Sequence, residues 1–462
     1  MKRFISLTLA LMLLLPTLSL AGCNGKEGGE NDPEDENNAR EELTLTQQID
    51  KMYADGIDSA EKVSALRELV WQEYVEKIKT EEPEREKELA KNKVTKIKLG
   101  RITMRVDTRI VGRKAPEGGY PLFLVYHGGG YDPSGSTNES QWAGMADRYI
   151  QTGVEGIYVS IRSVSDNESS GQIFSTDISW QFYDRIIEDA IIFKEANPNK
   201  VYIVGYSAGG NGVYQIAPTM ADYLASATMT AGHPEGVSLM SLYNLPFYLN
   251  VGELDAAYSR NTVTVEYANK LVALAQKFGG GYEYKCFVHS NKEHGVVGDN
   301  ATAPQAVIKD INAWYDAQKG SLPYTGGTQS VNTDAATLMT QHTRNPLPER
   351  VVWDISTSRL NVRDNHSFYW LSVKGATSGS VVASYDKSTN TVTVEQASKR
   401  AIEEITIYLN EDMVDLFSEV KVVYNGKTTT VMPQISLDLL RQTTSNRSDP
   451  SYQFCASVTV KP

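Results

Sequence analysis

A strand-to-helix turn in the middle of the chain restricts the fold more than any other feature. The apolar segment VYIV at residues 201–204 runs directly into GYSAG at residues 205–209, and a helix-like pattern follows. A chain that leaves a strand and enters a helix this abruptly strains the backbone at the central residue, so the neighbours of Ser207 must be small. We therefore predict that the Ser207 hydroxyl stands above a sheet, next to a helix N-terminus.

Strands and helices alternate on both sides of this turn. The predicted strands are apolar runs at Leu122–Tyr126, Ile157–Ile161, Val201–Val204, Ser226–Thr230, Phe247–Val251 and Tyr282–Val288, after an antiparallel pair near residues 97–106. The predicted helices lie near Gln141–Gln151, Ser179–Ala196, Gly210 onward, Thr264–Lys277 and Pro304–Gln318. This alternation predicts an α/β fold with a mostly parallel sheet flanked by helices. Functional residues of such sheets gather at the carboxyl ends of the strands.

The chain divides into six predicted segments. They are a signal peptide at 1–22, an acidic flexible tether at 23–42, a helical lead-in at 43–94, the α/β domain at 95–318, a linker at 319–349 and a C-terminal all-β sandwich domain at 350–462. The sandwich is predicted because the pattern after Val351 changes to short alternating apolar runs. Asn425-Gly426, between two of these runs, is a strong hairpin signal.

The N-terminus has the features of an export signal. Lys2 and Arg3 precede an apolar run that Pro16 interrupts and that is short for a bilayer span. The sequence LAGC at residues 20–23 resembles a bacterial lipobox, which implies cleavage before Cys23 and a diacylglyceryl chain on its sulfur. We expect an extracytoplasmic protein that is lipid-anchored to the bacterial membrane, at the periplasmic face or the cell surface. The alternative is a plain secretory signal with an incidental cysteine.

A second glycine-rich motif, HGGG at residues 127–130, directly follows a predicted strand. Glycines let backbone N–H groups approach a developing oxyanion without obstruction by a Cβ atom. We predict that the N–H groups of Gly128, Gly129 and Ala208 form an oxyanion hole. His127 is predicted to be structural, with its ring bonded to nearby backbone, and a catalytic role is the alternative.

With these two motifs the chain resembles the α/β-hydrolase superfamily, in particular its serine esterase, feruloyl-esterase and dienelactone-hydrolase-like branches, over about residues 95–318. In that family the acid follows the nucleophile and the histidine comes last. The resemblance implies a catalytic triad of Ser207, Asp255 and His294. Asp255 lies in the loop NVGELD after one predicted strand, and His294 lies in KEHG after the next.

Two alternatives stay open within this triad. Glu253 is a second candidate for the acid, and its structural interpretation is a solvated turn carboxylate. His289 is a second candidate for the base, although its place at a strand end is more typical of a packed or pocket-lining histidine.

The resemblance further implies a serine hydrolase that cleaves carboxylic esters through an acyl-enzyme, without a metal or an organic cofactor. Acyl groups on polysaccharides are the first substrate expectation. A prolyl-oligopeptidase-like peptidase is an alternative, although no β-propeller fits before residue 95. A catalytically inactive hydrolase-fold lipoprotein that binds a surface is the other alternative.

Three further side chains are candidates for lining the site. His233, after the sixth strand of the sheet, is a candidate substrate contact, and a loop histidine without a role is its alternative. Trp180 and Trp142 are candidate aromatic platforms for substrate, and core packing is the structural alternative for each.

Charge and composition argue against several other classes of protein. Lys and Arg number 45 against 57 Asp and Glu, a net charge of −12, and no long basic stretch is present, so nucleic acid is not an expected partner. Three cysteines and six histidines are too few for a disulfide scaffold or a Cys-rich metal framework. Cys286 and Cys455 belong to different predicted domains, and we expect both to be buried free thiols.

Overall fold

An eight-stranded sheet lies at the centre of the fold. The computed structural model describes residues 43–150, 153–176, 178–289, 292–295, 336–357, 367–376, 378–398 and 402–461. The strands of this sheet are β1 (Lys93–Leu99), β2 (Ile102–Val111), β3 (Tyr120–Tyr126), β4 (Gly156–Arg162), β5 (Ala196–Tyr206), β6 (Ser226–Thr230), β7 (Phe247–Gly252) and β8 (Tyr284–His289).

The strand order is β1-β2-β4-β3-β5-β6-β7-β8. From β4 to β8 along this order all neighbours are parallel, whereas β2 is antiparallel to both of its neighbours. β3 and β4 are buried along their whole length, as expected for central strands that helices cover on both faces. Because the parallel strands share one direction, the loops that follow them meet at one edge of the sheet.

Helices pack around this sheet. Those described are α1 (Leu45–Ala54), α2 (Ala60–Glu81), α3 (Ser136–Trp142), α4 (Met145–Ile150), α5 (Ser179–Lys194), α6 (Ala208–Thr219), α7 (Arg260–Phe278) and α8 (Leu437–Arg447). Local sequence explains their ends: Thr44 and Gln47 form a reciprocal capping box at the start of α1. The helix predicted near Gln141–Gln151 is instead the pair α3 and α4, because Gly144 adopts φ +71° between them.

Two further sheets follow toward the C-terminus. Their strands are β9 (Arg350–Asp354), β10 (Ser367–Phe368), β11 (Leu371–Lys374), β12 (Ser380–Asp386), β13 (Thr391–Ala397), β14 (Glu404–Leu409), β15 (Val420–Tyr424), β16 (Lys427–Val431) and β17 (Ala456–Val460). The orders are β10-β11-β14-β17 and β16-β15-β13-β12-β9. Trp353 of one sheet stacks on Phe368 of the other, with ring centroids 5.7 Å apart. The predicted fold class, a mostly parallel α/β sheet with added C-terminal β structure, is confirmed.

The C-terminal sheets pack against the amino ends of the central parallel strands. Tyr369 donates its backbone N–H to Asp222, just before β6, at 3.1 Å, and its hydroxyl to the Ala221 carbonyl at 3.0 Å. Asn244, just before β7, donates to the Arg350 carbonyl at 2.9 Å. These contacts lie at the edge opposite the turn at Ser207. The described residues from Thr44 onward belong to one compact unit, and the boundaries at residues 95 and 350 stay predictions.

Part of the predicted linker at 319–349 is packed structure. Met339 is fully buried, and the Tyr202 hydroxyl donates to the His342 carbonyl at 2.7 Å. Arg344 pairs with Asp449 at 2.7 Å. Residues 336–349 therefore pack against the central unit, whereas residues 319–335 of the predicted linker, the predicted helix at 304–318 and the segments at 1–42 lie outside the described residues. Within the described chain, no helix has the length and apolarity to cross a membrane. Cys286 and Cys455 are buried free thiols, as predicted.

A fully buried ion pair joins α8 to the segment just before β6. Arg447 lies 2.5 Å from Asp222, and both side chains are completely buried. Replacing Asp222 with alanine is expected to lower the free energy of unfolding by about 3–5 kcal/mol, because it leaves a buried guanidinium without its carboxylate. Urea denaturation measures this loss. The matched control is Glu404→Ala, which removes the pairs that a half-buried carboxylate makes with the exposed Lys374 and Lys461; equal effects of the two substitutions would contradict the prediction.

Candidate active site

Ser207 occupies the strained turn that the sequence predicts. It directly precedes α6, and its backbone has φ 56° and ψ −116°, a conformation that is costly for a residue with a side chain. Its N–H donates to the Thr230 carbonyl and its carbonyl accepts from the Asn211 N–H, each at 2.9 Å. A Cβ atom at Gly205 would lie 2.2 Å from the Gly209 carbonyl oxygen. The turn therefore requires glycine before the serine.

The imidazole of His294 lies between Ser207 and Asp255. Its Nε2 lies 2.8 Å from Ser207 Oγ, and its Nδ1 lies 2.8 Å from Asp255 Oδ2. With the proton on Nδ1, the ring donates to the carboxylate and accepts the serine O–H. The Asp255 side chain is 1% exposed and that of His294 is 38% exposed. The three side chains of the predicted triad are thus in contact, and the carboxylate is shielded from solvent.

The loops that carry the acid and the histidine pack backbone to backbone. The Leu254 N–H donates to the Lys292 carbonyl at 2.8 Å. A Cβ atom at Gly252 would lie 2.4 Å from that same carbonyl oxygen, so only glycine permits this approach. The Tyr206 hydroxyl donates to the His294 carbonyl at 3.1 Å. The histidine is therefore held from the acid loop on one side and from the nucleophile turn on the other.

The alternative candidates for the base and the acid are His289 and Glu253. His289 is buried at the end of β8, with its Nε2 3.2 Å from Asn250 Oδ1. Glu253 is also buried; its N–H donates to the His289 carbonyl at 3.0 Å, and its carbonyl accepts from Asn261 at 3.0 Å. The carboxylate in contact with His294 is that of Asp255. The arrangement favours Asp255 and His294 over both alternatives.

The glycine motif lies against the nucleophile. A Cβ atom at Gly128 would lie 3.3 Å from Ser207 Cβ. Gly129 adopts φ +118°, and a Cβ atom there would lie 2.0 Å from Asn138 Oδ1. Ala208 is the first residue of α6, so its N–H has no carbonyl partner within the helix. The residues predicted to form an oxyanion hole are thus brought together around Ser207.

His127 holds two loops at this edge. Its Nε2 accepts the Ser163 N–H at 3.2 Å, and its Nδ1 lies 2.5 Å from the Gly128 carbonyl oxygen. Burial lowers the pKa of His127 to about 4, because an apolar environment disfavours the charged ring. A neutral ring that donates through Nδ1 and accepts through Nε2 fits both contacts. The structural interpretation of His127 agrees with this environment.

Sequence reasoning missed the residue that supports the glycine loop. Asn138, fully buried in α3, accepts the Gly130 N–H at 3.0 Å and donates to the Gly130 carbonyl at 2.8 Å. It also donates to Asp166 at 2.7 Å, and Arg162 donates to the same oxygen at 2.6 Å. An asparagine in a polar loop carries no local signal for such contacts, since they depend on how the loops after β3 and β4 meet.

Replacing Asn138 with alanine is expected to lower kcat/KM for an ester by about 10- to 100-fold, because the predicted oxyanion donors would then be misplaced relative to the transition state. Steady-state kinetics and a thermal melt of the variant measure the effect. Ser134→Ala is the control, since Ser134 lies just before α3 and its hydroxyl donates to Asp132 Oδ1 at 2.6 Å. An unchanged kcat/KM in the Asn138 variant would contradict the prediction, because it would show that the glycine loop keeps its conformation without Asn138.

The tryptophans do not serve as platforms. Trp180 is 1% exposed, and Trp142 is 4% exposed with its Nε1–H donating to the Ser160 carbonyl at 3.0 Å. This corrects the prediction of a substrate contact at Trp180, because an indole enclosed in the core offers no face to a ligand. Among the described residues at this edge, Tyr131 and Tyr258 are large side chains that are exposed, at 67% and 77%. They follow the glycine motif and the acid loop.

The site and the sheet define the fold type. The protein has an α/β-hydrolase fold. Its features are a mostly parallel sheet, a strained serine turn after a central strand, and the chain order serine, aspartate, histidine. Such a site can transfer an acyl group from an ester or amide to water. Among the described residues, no group of three or more His, Cys, Asp or Glu side chains is placed to hold a metal ion.

Comparisons with known proteins give structural likenesses only. No family model matches the sequence, and neither does any curated protein. A thermostable esterase matches at 15% identity and TM-score 0.35, over 55% of this chain and 63% of the esterase, so this chain spans less than two thirds of its length. A poly(3-hydroxybutyrate) depolymerase from Bordetella parapertussis matches at 15% identity and TM-score 0.35, over 50% and 92% of the two chains. Est1E from Butyrivibrio proteoclasticus matches at 12% identity and TM-score 0.30, over 49% and 99%.

Proposed function

We propose that this protein is a serine hydrolase that cleaves carboxylic esters through an acyl-enzyme. The observation that carries the proposal is the position of the His294 ring, whose two nitrogens lie 2.8 Å from Ser207 Oγ and 2.8 Å from Asp255 Oδ2. Each distance is that of a hydrogen bond. The three groups are therefore already in the geometry that proton transfer from the serine requires.

Acylation begins at Ser207. Its hydroxyl is a weak nucleophile at neutral pH, so His294 Nε2 takes the proton as Oγ attacks the ester carbonyl carbon. Asp255 keeps the other ring proton on Nδ1 and stabilises the imidazolium that forms. The tetrahedral intermediate then collapses, and His294 returns the proton to the departing alcohol.

The main electrostatic requirement of this step is stabilisation of the negative charge that develops on the carbonyl oxygen. The Ala208 N–H at the start of α6 and the N–H groups of Gly128 and Gly129 are the proposed donors. Donors held by the fold need no reorganisation as charge develops, and losing one typically costs about 10²–10³ in kcat. The α6 N-terminus adds the favourable end of the helix dipole.

Deacylation repeats the same chemistry with water. His294 takes a proton from water as the oxygen attacks the acyl carbon, and the proton then returns to Ser207 Oγ as the acid departs. Each cycle consumes one ester and one water and yields one acid and one alcohol.

The proposed substrates are acyl groups on polysaccharides. This choice is supported by the resemblance of residues 95–318 to feruloyl-esterase-like hydrolases and by the expected export of the protein. The same proposal places the enzyme outside the cytoplasm, held at the membrane by a lipid on Cys23.

The test is acid release from four substrates: a short-chain aryl ester, acetylated xylan, methyl ferulate and a proline-containing peptide amide. The wild type and Ser207→Ala are compared on each substrate. We expect ester cleavage that depends on Ser207, and the preferred ester identifies the acyl class. Cleavage of the peptide alone would replace the proposal with a peptidase, and a folded wild type inactive on all four would replace it with a binding protein.

A further inference from the structure

The loop after β6 is attached to the helix that begins at the nucleophile. This loop comprises residues 231–236, AGHPEG. Asn211, in the first turn of α6 and 1% exposed, accepts the His233 N–H at 2.6 Å and donates to Glu235 Oε1 at 3.2 Å. A buried amide thus uses both of its ends to hold this loop. Because Asn211 also donates its own N–H to the Ser207 carbonyl, the loop lies within one helical turn of the nucleophile.

The backbone of this loop is strained on both sides of His233. Ala231 has φ 50° and Glu235 has φ 51°, values that residues with side chains rarely adopt. The surroundings maintain this conformation: the Ala231 N–H donates to the Asn250 carbonyl at 2.8 Å, and Gln215 donates to the Pro234 carbonyl at 2.9 Å. Strain that the neighbouring structure enforces is typical of functional loops.

The same loop also contacts the segment at residues 170–171, which is bonded to the glycine loop. A Cβ atom at Gly171 would lie 2.7 Å from Glu235 Cγ, so these two segments are in close contact. The adjacent Ser170 donates its hydroxyl to the Gly129 carbonyl at 3.2 Å. A continuous chain of contacts therefore runs from the proposed oxyanion donors through Ser170 and Gly171 to Glu235. His233 and Glu235 therefore lie in a loop that contacts both the helix after Ser207 and the segment bonded to the glycine loop.

His233 and Glu235 present complementary polar groups there. Their side chains are 30% and 48% exposed, with His233 Nδ1 3.4 Å from Glu235 Oε1. His233 Nδ1 accepts the Glu235 N–H at 3.2 Å, so the neutral ring carries its proton on Nε2 and offers it as a donor. The Glu235 carboxylate is an acceptor. One donor and one acceptor thus stand side by side.

We propose that His233 and Glu235 form a subsite for the alcohol part of the substrate, and that this alcohol carries free hydroxyl groups, as a sugar does. The proposal rests on the proposed ester hydrolysis. A hydroxyl both donates and accepts, so neighbouring hydroxyls satisfy an N–H donor and a carboxylate together. A leaving alcohol with an anionic group would be repelled by Glu235, and an apolar one would offer no acceptor to the His233 Nε2–H.

The experiment compares two esters that yield the same acyl-enzyme. A monoacetylated methyl xyloside and an aryl acetate both acetylate Ser207, so they differ only in the leaving alcohol. The measured quantity is the ratio of kcat/KM for the sugar ester to kcat/KM for the aryl ester. His233→Ala and Glu235→Gln are each expected to lower this ratio by about 5- to 10-fold, the effect of one lost hydrogen bond.

Two further variants distinguish loss of contact with the sugar from a general structural effect of the substitutions. His233→Gln keeps an N–H donor and is expected to restore part of the ratio. Glu117→Gln removes an exposed carboxylate before β3, at the opposite edge of the sheet, and is expected to leave the ratio unchanged. An unchanged ratio in both His233→Ala and Glu235→Gln would overturn the subsite, and so would a wild type that cleaves the aryl ester but not the sugar ester. Absence of Ser207-dependent cleavage of either ester would instead overturn the proposed function.

Discussion

Replacing Ser207 with alanine is expected to lower kcat for ester hydrolysis by about 10⁴- to 10⁶-fold while leaving the protein folded. The substitution removes the only atom that bonds to the acyl group in the proposed mechanism, so no acyl-enzyme can form. Residual turnover then depends on water attack assisted by the oxyanion donors and by substrate binding alone. Steady-state kinetics on an aryl ester, with a urea denaturation curve for each protein, measure both properties.

A second measurement makes this result specific to the serine. A fluorophosphonate is expected to modify wild-type Ser207 covalently, and mass spectrometry of the digested protein locates the adduct. The alanine variant is expected to remain unlabelled. Ser388→Ala is the control, because that hydroxyl bonds to Asp386 on an exposed turn of the C-terminal sheets; it is expected to keep both labelling and turnover. Wild-type turnover in the Ser207 variant would rule out the proposed nucleophile.

The nucleophile turn is predictable because its requirements are local. Gly205 and Gly209 are needed wherever a strand enters a helix this sharply; a Cβ atom at Gly209 would lie 2.3 Å from the Tyr126 carbonyl oxygen. Asp255 and His294 are predictable for a different reason. Both lie shortly after strands of a parallel sheet, and loops at the carboxyl ends of such strands share one edge.

Contacts between distant segments are not predictable in the same way. Asn138 bonds to Gly130 and to Asp166, 28 residues away along the chain. No periodic pattern in the sequence predicts a contact between these segments. For Trp180 the sequence leaves both a substrate contact and core packing open; α5 packs on the sheet, and the indole is 1% exposed. α8 was missed because its sequence, LDLLRQTTSNR, has few apolar residues. Its stability comes from tertiary contacts such as the Asp222–Arg447 pair.

Replacing Asp255 with asparagine is expected to lower kcat by about 10⁴-fold, because a neutral amide neither fixes the proton on His294 Nδ1 nor stabilises the imidazolium. The aspartate is suited to this role by its burial and by its anchored backbone, whose carbonyl accepts the Asn261 N–H at 3.0 Å. Kinetics on the aryl ester measure the loss. Because the serine hydroxyl is retained, slow fluorophosphonate labelling of Ser207 is expected to persist, unlike in the alanine variant.

Glu253→Gln is the matched control for this substitution, since it makes the same chemical change two residues away in the same loop. The Glu253 backbone is bonded to His289 and Asn261, whereas the carboxylate at hydrogen-bond distance from His294 belongs to Asp255. A change in kcat of less than about tenfold is therefore expected for Glu253→Gln. If Glu253→Gln caused the severe loss and Asp255→Asn the mild one, Glu253 would be the acid. The His294 ring would then have to turn toward it during catalysis.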